Sequence, residues 1–431
     1  MFITGDYTFD VLFTLDFKKG FLCSERFLIG NTEIAHLEDY RSEGTYKISF
    51  NLPSEDAKKD FDRNGVSIWQ FCNGAKDELK SLLQTLHFFL PGGETVWDID
   101  EKMEAANLDF LKVAMGIEMD VRPIQDIDID ESLVQSGDAF LLVRMDGTGP
   151  LIMYGTGGHL SHTTMALHFD DGLYIVESQG AEFWPTPGIN RTPFNKWLEQ
   201  VRKASYNVVW LPLKKEIAAS FNESAARNFF AQTKGLPYGY HNFIFGWIDT
   251  PYRNMPPLMA QNMLPTVGMI LENIAPGAAY VTFGAGLNKR MGTTGKSLSE
   301  IAALAADQDM SILDVMAMPD QEDWVYYDGS SYVCSAYVTA QYKRAGLFGD
   351  LEINATEFHP RDVYSLDFFD KDFVRPQACI DADPDLPYCQ IAGKYRIEIP
   401  EKDYSTVSIY GNMNEHCETV WPDYIRGPSG C

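Results

Sequence analysis

"SHTTMALHFDDGLYIVESQG", residues 161 to 180, decides the fold. Two runs rich in β-branched and apolar residues flank Asp170-Asp171-Gly172, the pattern of two antiparallel strands joined by a tight turn. In such a hairpin the start of one strand faces the end of the next. His162 and Glu177 are therefore expected as lateral neighbours on one face. His168 shares that face by even spacing but lies beside the hairpin tip, and His159 falls in the Gly-rich turn before the strand. A strand histidine alone is more often a packed or surface residue than a catalytic one. Its weight here comes from the acid that the hairpin brings beside it.

The neighbouring text continues in the same style. "GDAFLLVRMDG" (137–147) and "YNVVWLPL" (206–213) read as short strands, and "RTPFNKWLEQVRKA" (191–204) reads as an interposed helix. "NESAARNFFAQTKG" (222–235) predicts a helix capped by Asn222 and stopped at Gly235, and Ser297 with Glu300 predicts a capping box. Near the N-terminus, 7–17 and 44–52 alternate as strands, and 54–65 and 74–93 read as helices. The expected fold class is α+β, an antiparallel sheet packed on helices. The expected division is an accessory module over 1–130 closed by the acidic linker "DIDIDES", a core over 131–375, and a Cys-rich extension over 376–431. Within the core, the apolar but Pro- and Asn-interrupted stretch around 250–330 is expected as a cap or lid. It falls short of a membrane span of about 20 clean apolar residues, so lipid contact through 255–285 is not favoured.

The chain has 431 residues and a formal charge of -26 with no basic cluster, which argues against nucleic-acid and anionic-membrane partners. Seven cysteines leave one over after pairing. The natural division is three disulfides among Cys23, Cys72, Cys379, Cys389, Cys417 and Cys431, with Cys334 free. Local pairing would join 23–72, 379–389 and 417–431, although sequence alone does not fix connectivity. Zinc fares poorly because no C-x2-C pair exists; His416 beside Cys417 is a single weak hint, and no metal or cofactor is expected. Sequons at Asn190, Asn222 and Asn354 fit a secreted or lysosome-like compartment. The opening residues have no basic stretch before an apolar run and do not read as a signal peptide, which leaves either numbering without a leader or a cytosolic protein with free thiols.

Cys334 opens "CSAYVTAQYKRAG", a helix without charge until Lys343 and Arg344, with Gly346 as its natural stop. Its position at a helix N-terminus offers unpaired N–H groups and positive potential. These lower a thiol pKa and can hold an oxyanion. A buried structural cysteine is the competing reading. A nucleophile needs a base with an orienting acceptor, which His162 and Glu177 supply.

These pieces together resemble the circularly permuted branch of the NlpC/P60 papain-like superfamily. The family shows a "SH" hairpin ending in an acid and later a "CS" helix. Here these are "SHTTMALHFDDGLYIVE" and "YVCSAYVTAQYKRAG" (332–346). "GLPYGYHNFIFGW" (235–247) resembles the family's "GxPYDxxF", with Gly239 where Asp is frequent. "EFHPRDVYSLDFF" (357–369) resembles the segment that follows the Cys helix. The resemblance covers about 135–370. It implies a papain-like core with Cys334 as nucleophile, His162 as base and Glu177 as orienter, acting as a cysteine peptidase or amidase on a peptide or amide. The Cys334 N–H, with Tyr154 or Tyr332, would hold the oxyanion, and Tyr238, His241 and Gln179 would line the cleft. A lipid acyltransferase or esterase on the same core, or a silent binding protein that keeps the fold, are the alternatives. Oligomeric state is not legible.

Overall fold

The computed structural model describes residues 2–409 outside 16–25, 31–34, 55–57, 59–65, 71–98, 181–186, 242–244, 246–267, 269–271 and a few one- or two-residue gaps. The chain forms two compact units, 1–90 with 259–318 and 91–258 with 319–431. The fold class is α+β with antiparallel sheets, as expected.

In the first unit, β1 (Phe2–Gly5), β2 (Thr8–Leu15) and β5 (Gly44–Asn51) form one sheet, and β3 (Arg26–Gly30), β4 (Ala35–Asp39) and β6 (Ser67–Gln70) form another. Alternating residues of β2 and β5 meet Phe27, Ile29 and Tyr40 in a shared core in which Phe9 and Phe50 stack at 5.0 Å. The helix Leu298–Asp307 begins with the expected box, Ser297 and Glu300 each accepting from the other's backbone N–H.

The second unit is built on a six-stranded sheet in the order β10-β9-β8-β7-β11-β14. Its members are β7 (Ala139–Val143), β8 (His162–Phe169), β9 (Gly172–Gln179), β10 (Gly188–Pro193), β11 (Asn207–Leu211) and β14 (Cys389–Ala392). Helices are α1 (Glu101–Met115), α2 (Thr148–Thr156), α3 (Phe194–Lys203), α4 (Glu223–Thr233) and α5 (Cys334–Arg344). Phe140, Leu142, Val208 and Trp210 face α3 through Trp197 and Val201. Leu141, Val143, Val209 and Leu211 join the core that contains α4 and α5. Burial on both faces explains why β7 and β11 read as unbroken apolar runs in the sequence. A small hairpin, β12 (Val325–Tyr326) with β13 (Gly329–Ser330), leads into α5.

Three expected boundaries change. Residues 91–130 belong with the core rather than with the N-terminal strands. Arg122, its side chain wholly buried, pairs with Asp383 at 2.8 Å and donates to Gln125, Gln390 and Gly393 carbonyls, tying that segment to the C-terminal region. Residues 376–409 are likewise not an appendage, because β14 is an edge strand of the central sheet paired to β11. Residues 259–318 group with the N-terminal unit instead of forming an insertion of the core.

Cys379 and Cys389 form a disulfide that joins the short helix Gln377–Ala382 to β14, and Cys334 is free and buried. Cys23, Cys72, Cys417 and Cys431 lie outside the described residues, as do the 74–93 helix and most of the 255–285 stretch. Replacing both Cys379 and Cys389 by alanine frees a loop of sequence separation 10, for which chain entropy predicts a loss of about 2–3 kcal/mol. Urea unfolding of the double variant checks this; an unchanged midpoint would remove the staple from the account.

The sequons separate on burial. Asn222 is exposed and caps α4, its Oδ1 accepting from the Ala225 N–H; Asn190 is half-buried in β10. Asn354 is fully buried beside Thr356 and Asp320, so a glycan at Asn354 is incompatible with this fold.

Candidate active site

β8 and β9 pair from Phe169 opposite Gly172 up to Met165 opposite Val176. Beyond that point β8 continues against β7 to His162, and β9 continues against β10 to Gln179. The two strands part at the end where His162 and Glu177 stand. Extending their register sets Thr164 opposite Glu177, so His162 reaches the acid diagonally on one face. His162 Nε2 lies 2.9 Å from Glu177 Oε2, and Glu177 is 1% exposed.

The parting of the strands makes room for the chain that enters α5. Ser178 Oγ donates to the Tyr332 carbonyl at 2.8 Å, and the Gly239 N–H donates to the same oxygen at 3.0 Å. Tyr238 bridges Tyr332 in parallel register, and the Tyr332 ring is held edge-on by Phe229. Val333 is extended, with φ -72° and ψ 170°, and caps the helix, so Cys334 is its first residue. The thiol, 4% exposed, hydrogen-bonds with His162 and accepts from the backbone N–H groups of Thr163 and Ser335. With Nε2 engaged by Glu177, Nδ1 is the ring nitrogen left for the sulfur.

The electrostatics follow from this packing. Burial pushes the Cys334 thiol up, but the His162 charge, its hydrogen bond and the two N–H donors together hold it below its ordinary value. Burial likewise opposes a charged His162, and Cys334 and Glu177 outweigh it, raising the imidazole to about 10. Thiolate and imidazolium stabilise each other. Behind Glu177 lies a second buried polar layer. Gln179 hydrogen-bonds Tyr206, whose ring stands 5.7 Å from the Arg144 guanidinium, and Arg144 faces Asp146 at 3.7 Å. Burial, with Asp146 next, drives the Tyr206 hydroxyl pKa well up, so that group stays neutral.

The other sequence candidates divide. Tyr238 and Tyr332 adjoin Cys334 through the bridge that leads into the helix, and Gly239 packs its backbone there. His241 is buried and stacks on Tyr326 of the hairpin before Cys334, at 4.4 Å and 16°. Gln179 is buried and turned to Tyr206, which makes it a supporting group rather than a wall of an open cleft. Tyr154 packs edge-on against Phe110 of α1. His168 Nε2 pairs with the Val134 carbonyl, whereas His159 donates its backbone N–H to the Tyr364 hydroxyl and keeps a buried ring Nδ1 without a partner. Sequence reasoning missed Thr163 and Ser178. For Ser178 the alternation of β9 was the available signal, since it sets the side chain opposite to Glu177, where its Oγ meets the Tyr332 carbonyl; Thr163 acts through its backbone N–H, which no side-chain pattern announces.

Among the described residues no group of three or more His, Cys, Asp or Glu is placed to hold a metal ion, and no helix is long and apolar enough to cross a membrane.

No family model and no curated protein matches the chain. Among solved structures, a protein described as "metalloprotein yiiX from Escherichia coli O157:H7, DUF1105" is similar over 37% of this chain and 84% of its own, at 16% identity and a TM-score of 0.19.

Proposed function

We propose that the chain is a thiol-dependent hydrolase of amide or peptide bonds on a permuted papain-like core of the NlpC/P60 type. The observation that carries this reading is Cys334 at the first position of a helix, hydrogen-bonded to His162, with Glu177 at 2.9 Å from the opposite ring nitrogen. A nucleophile, a base and the group that orients the base are in contact, as covalent acyl transfer requires.

In this mechanism the Cys334 thiolate attacks the carbonyl carbon, a C–S bond forms and the carbonyl π electrons move to oxygen. The Cys334 N–H at the helix N-terminus stabilises that oxyanion. On collapse the C–N bond breaks and His162 gives its proton to the leaving amine, which leaves a thioester. A water molecule, deprotonated by His162, attacks the thioester; the carboxylic product departs and the thiolate–imidazolium pair is restored. Glu177 holds the imidazole in register and favours its charged form throughout. The disulfide between Cys379 and Cys389 supports an oxidising compartment, secreted or lysosome-like.

The test is chemical and small-scale. Native protein treated with substoichiometric iodoacetamide at pH 6 is expected to carry a single adduct, on Cys334, formed faster than on free cysteine at that pH. A panel of acyl-aminocoumarins and matched acyl esters then reads the bond class, with amide cleavage lost after alkylation. Absence of preferential labelling at Cys334, or amide cleavage that survives it, overturns the reading.

A further inference from the structure

The ladder between β8 and β9 stops one hydrogen-bonded step short of Cys334. The Ala166 N–H donates to the Asp138 carbonyl beside β7, so the amides of residues 162, 164 and 166 face β7 and those of Thr163 and Met165 face β9. Met165 pairs with Val176, and the next hydrogen-bonded pair of a continued ladder would join Thr163 to Ser178. In its place the Thr163 N–H donates to Cys334 Sγ, and the Ser178 hydroxyl donates to the Tyr332 carbonyl at 2.8 Å. The chain entering α5 thus takes one contact from each of the parted strands.

Ser178 is wholly buried, and pairing with Ile189 of β10 fixes its place in β9. Alternation sets Glu177 on one face of the strand and Ser178 on the other. Two consecutive residues therefore hold both halves of the site: Glu177 holds the base, and Ser178 holds the chain that carries the thiol. Val333 caps α5 without a side-chain hydrogen bond, so the start of the helix takes no register from a capping side chain. Two residues before the sulfur, the Tyr332 carbonyl has two donors, Ser178 Oγ and the Gly239 N–H. Of these, Ser178 is the one that belongs to the sheet of His162 and Thr163.

We infer that Ser178 is a positioning residue for the nucleophile: its hydroxyl, acting through the Tyr332 carbonyl, keeps Cys334 Sγ on the Thr163 N–H and against His162. The inference rests on Cys334 being the nucleophile of the proposed hydrolase. Without the Ser178 hydroxyl the Tyr332 carbonyl still accepts from Gly239, so no buried acceptor is orphaned and the fold is kept. A drift of the thiol is costlier to the chemistry, because a misplacement of about 1 Å can lower a rate by about 10²-fold. The thiolate also loses a donor, which lowers its share at neutral pH.

The experiment follows iodoacetamide alkylation of Cys334 in the full chain from pH 6 to 10, with urea unfolding alongside. Wild-type rates at pH 6.5 and pH 9 are expected to agree closely. Ser178→Ala should lower the rate at pH 6.5 by about tenfold or more, the worth of one hydrogen bond to a charged group, and leave the rate at pH 10 near the wild-type value. Ser178→Thr and Ser178→Val match each other in shape and differ in the hydroxyl, so Ser178→Thr should keep the neutral plateau and Ser178→Val should lose it. A serine that serves the fold alone would lower the unfolding midpoint without changing the shape of the profile. A wild-type profile in either Ser178→Ala or Ser178→Val, or the same profile in Ser178→Thr and Ser178→Val, overturns the inference. The matched pair keeps the test decisive if Ser178→Ala does not fold. A wild type that itself lacks the plateau removes the activated nucleophile, and the role of Ser178 with it; a wild-type plateau that the variants share removes the role of Ser178 alone.

Discussion

His162→Ala is expected to lower turnover of an acyl substrate by about 10³-fold or more, within the span of general acid–base effects and of the loss of a triad histidine. It should also move the pH profile of Cys334 alkylation. The thiol, ordinarily near 9.0, is held low chiefly against burial by the His162 charge. A depressed thiol pKa means the thiolate survives as pH falls, until the lowered value is reached. A raised imidazole pKa means the partner charge is complete below about 6.5 and is lost only as pH rises through about 10. The ion pair therefore spans the interval between the lowered thiol value and about 10, and wild-type alkylation should be nearly flat across pH 6.5 to 9. Without His162, burial remains and its compensation is gone, so the profile should climb steeply above pH 9 with no neutral plateau. Part of the rate difference at pH 6 is offset because a low-pKa thiolate is intrinsically a weaker nucleophile, so the shape of the profile is the better measurement. A variant whose profile overlays the wild type would show that the ion pair does not activate the thiol.

The elements that form the dyad were legible because each is specified locally. Alternation and Asp-Asp-Gly fix the hairpin, and Lys343, Arg344 and Gly346, with its φ of 86°, fix the end of α5. The domain boundaries were not legible, because what sets them is long-range. Arg122 finds Asp383 across 261 positions, and nothing near residue 122 announces that a charged side chain will be buried against the chain's far end. Asn354 fails in the same way: a sequon is a three-residue pattern and carries no information on burial. The Tyr154 ring meets Phe110 of α1, a contact that depends on which helix packs against α2 and that no local pattern announces. Gln179 stands at the strand end as expected, and its partner Tyr206 comes from 27 positions further on, which the strand pattern does not announce.

Gly239 stands where the pattern of the proposed family often has Asp, and the structure leaves no room for a side chain there. Its backbone runs beside Tyr332 and Val333, the two residues that set Cys334 at the head of α5. A Cβ at 239 would stand 2.5 Å from the Tyr332 carbonyl carbon, 2.7 Å from the Val333 nitrogen and 2.9 Å from Ser331 Oγ. Two of these are backbone atoms and cannot rotate away. Tyr332 is also fixed by Ser178 Oγ, which donates to the same carbonyl oxygen as the Gly239 N–H, so it cannot shift without losing that hydrogen bond. Gly239→Asp, which supplies the residue frequent in the family pattern, is therefore expected to destabilise the second unit by about 3 kcal/mol, at the upper end of overpacking costs, with a charge desolvation penalty added. Gly239→Ala should show most of the same loss, since the Cβ alone makes the collisions. The nearer consequence is chemical: pushing Tyr332 outward displaces the thiol from the Thr163 N–H and from His162, so the neutral plateau of alkylation should disappear even where the protein still folds. Denaturant unfolding and iodoacetamide kinetics on both variants separate the two effects. If Gly239→Asp keeps the wild-type midpoint and plateau, the close approach at Tyr332 does not constrain the nucleophile, and some other contact must position Cys334.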